Sequence, residues 1–378
     1  MNVHLDQLSL INFKNYEAAT FAFSPEVNCL VGLNGSGKTN VLDAVYYLSF
    51  CKSYFNVMDT QNVRHNEGFF MVQGEFMRND ERDQVQCAVK KGQKKKVSRN
   101  KKEYTRLADH IGKYPAVMIS PNDTDIIREG SEVRRKFIDG VISQYNKAYL
   151  DQLIQYNKVL LQRNNLLRYF AENRTFDAEN LEVWDAQLAN IGSAIHEERK
   201  LFLEAFVPGF NDIYQRISGA REVMSIEYKS DYLEGDFSDL LREAQQKDRQ
   251  LRRSTVGIHK DDLIFLIDGH PLKRFGSQGQ QKSVLIALKL AQFEFIERAT
   301  KVKPILLLDD IFDKLDDTRV AHLMKLVSEH HFGQIFITDT HDGRVPDLFK
   351  ATGAAVKVFK VNNAQIDELN SESNGAKK

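Results

Sequence analysis

Residues 32 to 39 read GLNGSGKT, a run whose residue types and spacing suit a polyphosphate. Gly32, Leu33, Asn34, Gly35, Ser36, Gly37, Lys38 and Thr39 fit the pattern GxxxxGK[ST] in full. The glycines let backbone N–H groups close around phosphate oxygens, and the start of the following helix adds partial positive charge. Lys38 then reaches the β- and γ-phosphates, and the Thr39 hydroxyl binds Mg²⁺. ATP and Mg²⁺ are the expected ligands.

A second acidic element belongs with the first. Four apolar residues, Ile305 to Leu308, lead into Asp309 and Asp310. A strand that ends in a carboxylate beside a phosphate loop is the Walker B arrangement, with Asp309 holding Mg²⁺ directly or through water. Asp310, just past it, is the candidate to orient or activate the attacking water, and strand alternation predicts that its side chain aims away from that of Asp309. The competing reading is two solvated acids that close a core strand.

SQGQQKSVLIALKLAQFEF, from Ser277, opens on a polar turn and continues as an apolar helix. Alone it reads as a core helix capped by Ser277. With the other two elements it resembles the signature motif of ABC-type ATPases, in which a Ser hydroxyl and a Gly N–H meet the γ-phosphate of the nucleotide bound to the opposite subunit. That resemblance implies Ser277, Gly279 and Gln280 as contacts to the partner's ATP. It makes ATP the glue of a homodimer and hydrolysis its release.

Leu315-Asp316 falls where a D-loop would run. Thr338-Asp339-Thr340-His341 follows a strand-like run and places His341 32 residues after Asp309, the position of a switch histidine that senses the γ-phosphate; a plain surface histidine reads equally well. SPNDTD, 120 to 125, lies where the core hands over to the next region, so Asn122 or Asp123 stands in the place of a Q-loop glutamine.

The elements that must position these residues follow from periodicity. LDQLSLINF, ATFAFS and VNCLVG read as strands, the last running into the phosphate loop, and TNVLDAVYYLSF carries Val41, Leu42, Val45 and Leu48 at helical spacing. FFMVQGEF, QVQCAVK and AVMIS, between 69 and 120, are strand-like. From Phe137 to Leu160 apolar residues then recur every three or four positions, and a second helical stretch runs from about Glu179 to Gly219. Strand patterns return at MSIEY, DLIFLID, KPILLLDD and QIFITD.

The expected organisation is an α/β, ABC/SMC-like P-loop ATPase head with an inserted helical second domain. Its pieces are residues 1–120, a helical arm over 121–250, a C-terminal head portion over 251–365, and a disordered tail over 366–378.

Composition narrows the classes. With 378 residues and 42% hydrophobic content, the chain buries at least one full core. It carries no apolar run long enough to span a membrane and its first residues are charged, so a cytoplasmic protein is expected. Cys29, Cys51 and Cys87 form no CxxC pair, which argues against a zinc site or disulfide frame. Net charge is zero, so any nucleic-acid contact uses a local patch. The densest candidate is KKGQKKKVSRNKK, 90 to 102, with eight basic residues of thirteen, either a solvated hairpin or a phosphate-contacting loop.

INFKNY (11–16), GLNGSGKTNVLDAVYYLS, RRKFID (134–139), YLDQLIQYNKVLLQRNNLL (149–167), GIHKDD (257–262), SQGQQKS and LLLDDIFDKLD together resemble the RecF family, bacterial recombination mediators related to the heads of SMC proteins. The likeness runs from about residue 3 to 345; GIHKDD departs with Ile258 and Lys260 where Pro and Arg are the family's pattern. It implies an ATPase that dimerises on ATP and hydrolyses it slowly. It also implies binding to single-stranded and gapped duplex DNA, action with RecO and RecR to load RecA, and a part in SOS induction. A transporter-type ATPase subunit is the alternative; the 245 residues from Gly32 to Ser277, stretched by the helical insert, favour the SMC-like branch.

Overall fold

The computed structural model describes residues 3–219, 222–311, 332–341, 343–350 and 354–369. The chain forms two compact units, one of Met1–Asp123 with Lys289–Lys378 and one of Thr124–Leu288.

The first unit holds two six-stranded sheets. One runs in the order Gln365–Leu369, Val356–Asn362, Val27–Val31, Ile335–Asp339, Ile305–Leu308, Ala116–Ile119, parallel except for its first strand. VNCLV, ILLL and IFITD are buried at every position, as central parallel strands covered on both faces require. The other sheet is antiparallel, in the order Tyr16–Ala22, Val3–Phe13, Phe69–Arg78, Glu81–Lys90, Lys96–Arg99, Lys102–Glu103. Its Phe69–Arg78 and Glu81–Lys90 strands alternate buried and partly exposed residues.

Both sheets share a core with the helix Lys38–Phe50, whose Val41, Leu42, Val45 and Leu48 pack with Leu5, Leu10, Phe70, Val72, Leu30 and Phe336. Burying each such side chain stabilises by about 1.5–3 kcal/mol. A buried polar link adds specificity: Gln334 donates to the carbonyls of Leu5 and Ser24, both at 2.8 Å, and accepts from the Leu5 N–H at 2.7 Å. It pins the first strand to the entry of Ile335–Asp339.

The second unit is built on the helices Lys147–Asn173 and Ala178–Ser218. They meet at Arg163 with Asp185, at Tyr156 with Gly192 and at Tyr149 with Arg199, the pairing of an antiparallel hairpin. Ala178–Ser218, with 41 residues, is about 60 Å long. Arg199, almost fully buried, binds Asp139 at 2.9 Å, Asp261 at 2.6 Å and the Ile258 carbonyl at 2.8 Å. Arg134 grips Asp262 through two bonds, at 2.6 and 3.0 Å, and Arg135 donates to the Asp261 carbonyl at 2.6 Å. RRKFID and GIHKDD thus interlock as the ionic core of this unit, while Lys260 stays outside that ionic core.

Three expectations differ from the structure. The second unit extends past 250, because Met224–Lys229 pairs with Asp262–Ile267 in a three-stranded sheet that keeps the returning chain, Ser277 included, in this unit. The unit is therefore not purely helical. Residues 366–369, expected in a disordered tail, belong to the strand Gln365–Leu369, which pairs with Val356–Asn362 at the sheet edge. Residues 370–378 and Leu315-Asp316 lie outside the described residues.

Candidate nucleotide site

The phosphate loop leaves the carboxyl end of Val27–Val31, and Asp309 leaves the carboxyl end of Ile305–Leu308, with Ile335–Asp339 between those strands. Ligands of open α/β sheets bind at these ends. Gly32 donates its N–H to the Asp339 carbonyl at 3.3 Å, and Asp309 donates its own to the Ile119 carbonyl at 2.9 Å. At Gly32 φ is +155°, and a Cβ would stand 2.3 Å from the Val361 carbonyl oxygen, so only glycine fits.

Gly37 is the N-cap of Lys38–Phe50, and no side chain caps that helix. Its first N–H groups are open to an anion. Lys38 is buried and donates from Nζ to the carbonyls of Gly32 at 2.8 Å and Leu33 at 3.0 Å, which curls its ammonium over the loop. Ser36 Oγ is buried with no hydrogen-bond partner among the described residues, whereas the Leu33 side chain is exposed and so are Asn34 and Gly35. Uncapped N–H groups, an orphaned hydroxyl and a buried ammonium fit a phosphate chain.

The residues expected to hold the metal meet. Thr39 Oγ1 donates to Asp309 Oδ1 at 2.8 Å, and Thr338 Oγ1 donates to the same oxygen at 3.0 Å. Burial pushes the Asp309 carboxyl up to about 6, the Thr39 hydroxyl opposes the shift, and neighbouring Asp310 adds to it. Two adjacent hard oxygens, one ionisable, suit Mg²⁺.

Asp310 departs from its expected direction. Its φ of +43° bends the chain out of strand geometry, so its Oδ1 stands 3.2 Å from Thr338 Oγ1, where it shares that hydroxyl's single proton with Asp309, while its N–H donates to the same hydroxyl at 2.8 Å. Both carboxylates therefore converge on Thr338. His341 is exposed; Asp339 Oδ1 accepts its backbone N–H at 3.1 Å, and its Nδ1 lies 3.0 Å from Thr340 Oγ1 and 3.2 Å from an Arg344 nitrogen.

Ser277 caps Gln278–Thr300 through a reciprocal pair: its Oγ accepts from the Gln280 N–H at 3.2 Å, and Gln280 Oε1 accepts from the Ser277 N–H at 2.6 Å. Gln280 Nε2 also donates to Glu222 at 2.7 Å. The motif lies on the second unit and the phosphate loop on the first. Of the Q-loop candidates, Asn122 is exposed, whereas Asp123 is buried, bonded to Tyr54 and paired with Lys289 at 2.8 Å.

Sequence reasoning missed the support behind the loop. Asn15 Nδ2 donates to the Ser36 carbonyl at 3.2 Å and Tyr16 OH to the Gly37 carbonyl at 3.2 Å, while Asn40 Nδ2 donates to Asn15 Oδ1 at 2.7 Å. INFKNY was the only signal, and nothing local in it announces a contact 21 residues away.

A phosphate loop and a strand-end aspartate joined by a threonine, on this parallel sheet, define a P-loop ATPase head of the ABC/SMC type. The family model described as RecF/RecN/SMC N terminal domain matches residues 4–367. A Flavobacterium johnsoniae protein described as DNA replication and repair protein RecF is 54% identical over 359 residues, covering 95% of this chain and all of that one. A Phocaeicola vulgatus protein of the same description is 48% identical over 367 residues, covering 96% and 98%. The chain belongs to the RecF family.

Among solved structures, the recombination mediator protein RecF with ATP, described within the RecFOR pathway, aligns with a TM-score of 0.88 at 29% identity, over 97% of this chain and 98% of that one. An Smc head domain from Pyrococcus furiosus with an extended coiled coil, bound to the C-terminal domain of ScpA, aligns at 0.56 and 18% identity over 97% and 96%, a likeness of fold. No helix among the described residues is long and apolar enough to cross a membrane.

Proposed function

We propose that this chain is an ATP-dependent DNA-binding protein of replication and recombinational repair, two copies of which close over two ATP molecules and hold DNA. The observation that carries the reading is the Thr39–Asp309 hydrogen bond at the foot of the uncapped helix. Lys38 binds the β- and γ-phosphates, the loop N–H groups orient them, and Ser36 Oγ gains the partner it lacks. Thr39 and Asp309 would hold Mg²⁺, which supplies charge neutralisation between those phosphates. Asp310 orients the attacking water, and His341 senses the γ-phosphate.

Ser277, Gly279 and Gln280 act on the nucleotide of the opposite copy. Ser277 Oγ accepts from its own helix, which leaves its O–H to be donated to a phosphate oxygen. Closure then depends on the triphosphate, and hydrolysis opens the clamp.

DNA as the thing held is supported by the 54% and 48% identity to proteins described as RecF and by the lysine hairpin. There Lys95 pairs with Asp59 at 2.7 Å and Arg99 with Asp83 at 2.8 Å, while Lys90, Lys91, Lys94, Lys96, Lys101 and Lys102 are exposed. Action at gaps and single-stranded regions with RecO and RecR, RecA loading, SOS induction and a weak, DNA-stimulated ATPase come with the family reading, as does a cytoplasmic site of action. ATPase activity with and without gapped duplex DNA tests it. Stimulation by DNA is expected; a rate indifferent to DNA counts against it.

A further inference from the structure

Phe275 stands two residues before Ser277 and is 65% exposed, more than any other phenylalanine or tyrosine ring among the described residues. A ring so exposed beside a proposed phosphate contact is available to a ligand, and the residues on either side of it are held by burial and hydrogen bonds. The short helix Leu272–Phe275 is anchored by fully buried Leu272. Gly276 follows, where a Cβ would lie 2.5 Å from the Leu272 side chain and 2.8 Å from its carbonyl oxygen, so the chain turns tightly there. Gln281 Nε2 donates to the Gly276 carbonyl at 3.1 Å, and the Ser277–Gln280 pair fixes the next residues. Lys273 and Arg274 are exposed alongside, and the His270 ring lies 5.3 Å from that of Phe275.

Two cations, an aromatic ring and a serine hydroxyl in one fixed turn suit a nucleotide, which offers phosphates at one end and a flat base at the other. With Ser277 at the γ-phosphate, the Phe275 ring, carried on its own side chain two residues back, faces another part of the same molecule. We propose that Phe275 stacks on the base or ribose of the ATP bound to a second copy of this chain, so that closure reads the nucleoside as well as the phosphates. This rests on the ATP-closed dimer proposed above. Base–aromatic stacking is strong enough to matter, at about 5- to 150-fold for each stacked ring.

The test is sedimentation equilibrium of the full chain with ATP and Mg²⁺ and without DNA, for wild type and for Phe275→Ala, Phe275→Leu and Phe275→Trp. Phe275→Ala is expected to weaken the dimer about 30-fold or more, because each dimer has two such rings. The monomer's own affinity for a fluorescent ATP analogue, set by the loop of the same chain, stays within about twofold. Phe275→Trp restores the dimer, and its indole emission changes on adding ATP only at concentrations where dimer forms. Phe275→Leu does not restore it. Dimerisation of Phe275→Ala at the wild-type affinity overturns the assignment. So does full rescue by Phe275→Leu, which would make the residue a plain apolar contact with the partner protein. If wild type itself stays monomeric, the dimer reading fails instead, which separates the two.

Discussion

Thr39 and Asp309, 270 positions apart in the chain, are joined by a 2.8 Å hydrogen bond from hydroxyl to carboxylate. The bond aligns two oxygens for a cation and donates to the charged form of a buried acid. Thr39→Ala is expected to cut the Mg²⁺-dependent gain in affinity for an ATP analogue by about tenfold or more, and Thr39→Ser to retain it. Titrations with Mg²⁺ and with EDTA check this; equal reductions in both would mean that Thr39 serves only the loop.

Asp309 sets a pH dependence in the metal-free protein. Its carboxyl is raised from the usual 3.8 to about 6, chiefly by burial, so the folded state holds the proton more tightly than the unfolded state. The cost of ionising it is absent below about pH 4, grows between about 4 and 6, and is complete above about 6. Asp309→Asn is therefore expected to be more stable than wild type at about pH 7.5 in EDTA, by up to about 3 kcal/mol, with the difference vanishing near about pH 4. Urea unfolding at both pH values measures it. A variant no more stable than wild type at the higher pH contradicts the buried charge.

Much of the head was legible because its pattern is stereochemical. GxxxxGKT needs glycine where the chain meets the Val361 carbonyl, and VNCLV and ILLL are apolar at nearly every position because both faces are covered. What escaped depends on pairing between distant segments. Asn15 and Tyr16 reach the loop only because Val3–Phe13 and Tyr16–Ala22 form a hairpin beside it. QIDEL alternates too weakly to announce a strand, and its partner Val356–Asn362 supplies the order. The domain edge moved because Met224–Lys229 finds Asp262–Ile267, a pairing over more than thirty residues. Asp310 escaped because one left-handed residue undoes the alternation rule.

Gln334 offers a test of the core. Gln334→Leu leaves the buried Leu5 carbonyl and N–H without their side-chain partner, while the Ser24 carbonyl keeps its bond from Asn28 Nδ2, and is expected to cost about 2–5 kcal/mol. Gln334→Glu should fare worse at neutral pH than in acid, because a carboxylate cannot donate to the carbonyls of Leu5 and Ser24. Chemical denaturation reports both; a cost under about 1 kcal/mol for Gln334→Leu would mean that water replaces the amide.

The lysine hairpin carries a salt-dependence prediction. Replacing Lys90, Lys91, Lys94, Lys96, Lys101 and Lys102 by Gln is expected to weaken duplex DNA binding and to lower the slope of log affinity against log salt by about 0.9 for each phosphate no longer neutralised. ATP-dependent dimerisation without DNA should be unaltered. An unchanged slope would return the hairpin to a solvated surface.

In the proposed function the triphosphate latches two copies together. Sedimentation equilibrium with ATP, Mg²⁺ and gapped duplex DNA tests it most directly, with Lys38→Met and Ser277→Arg as controls. Wild type is expected to form a dimer and neither variant to do so, with nucleotide binding abolished in Lys38→Met but kept in Ser277→Arg. A wild-type protein that remains monomeric with ATP and DNA present would contradict it.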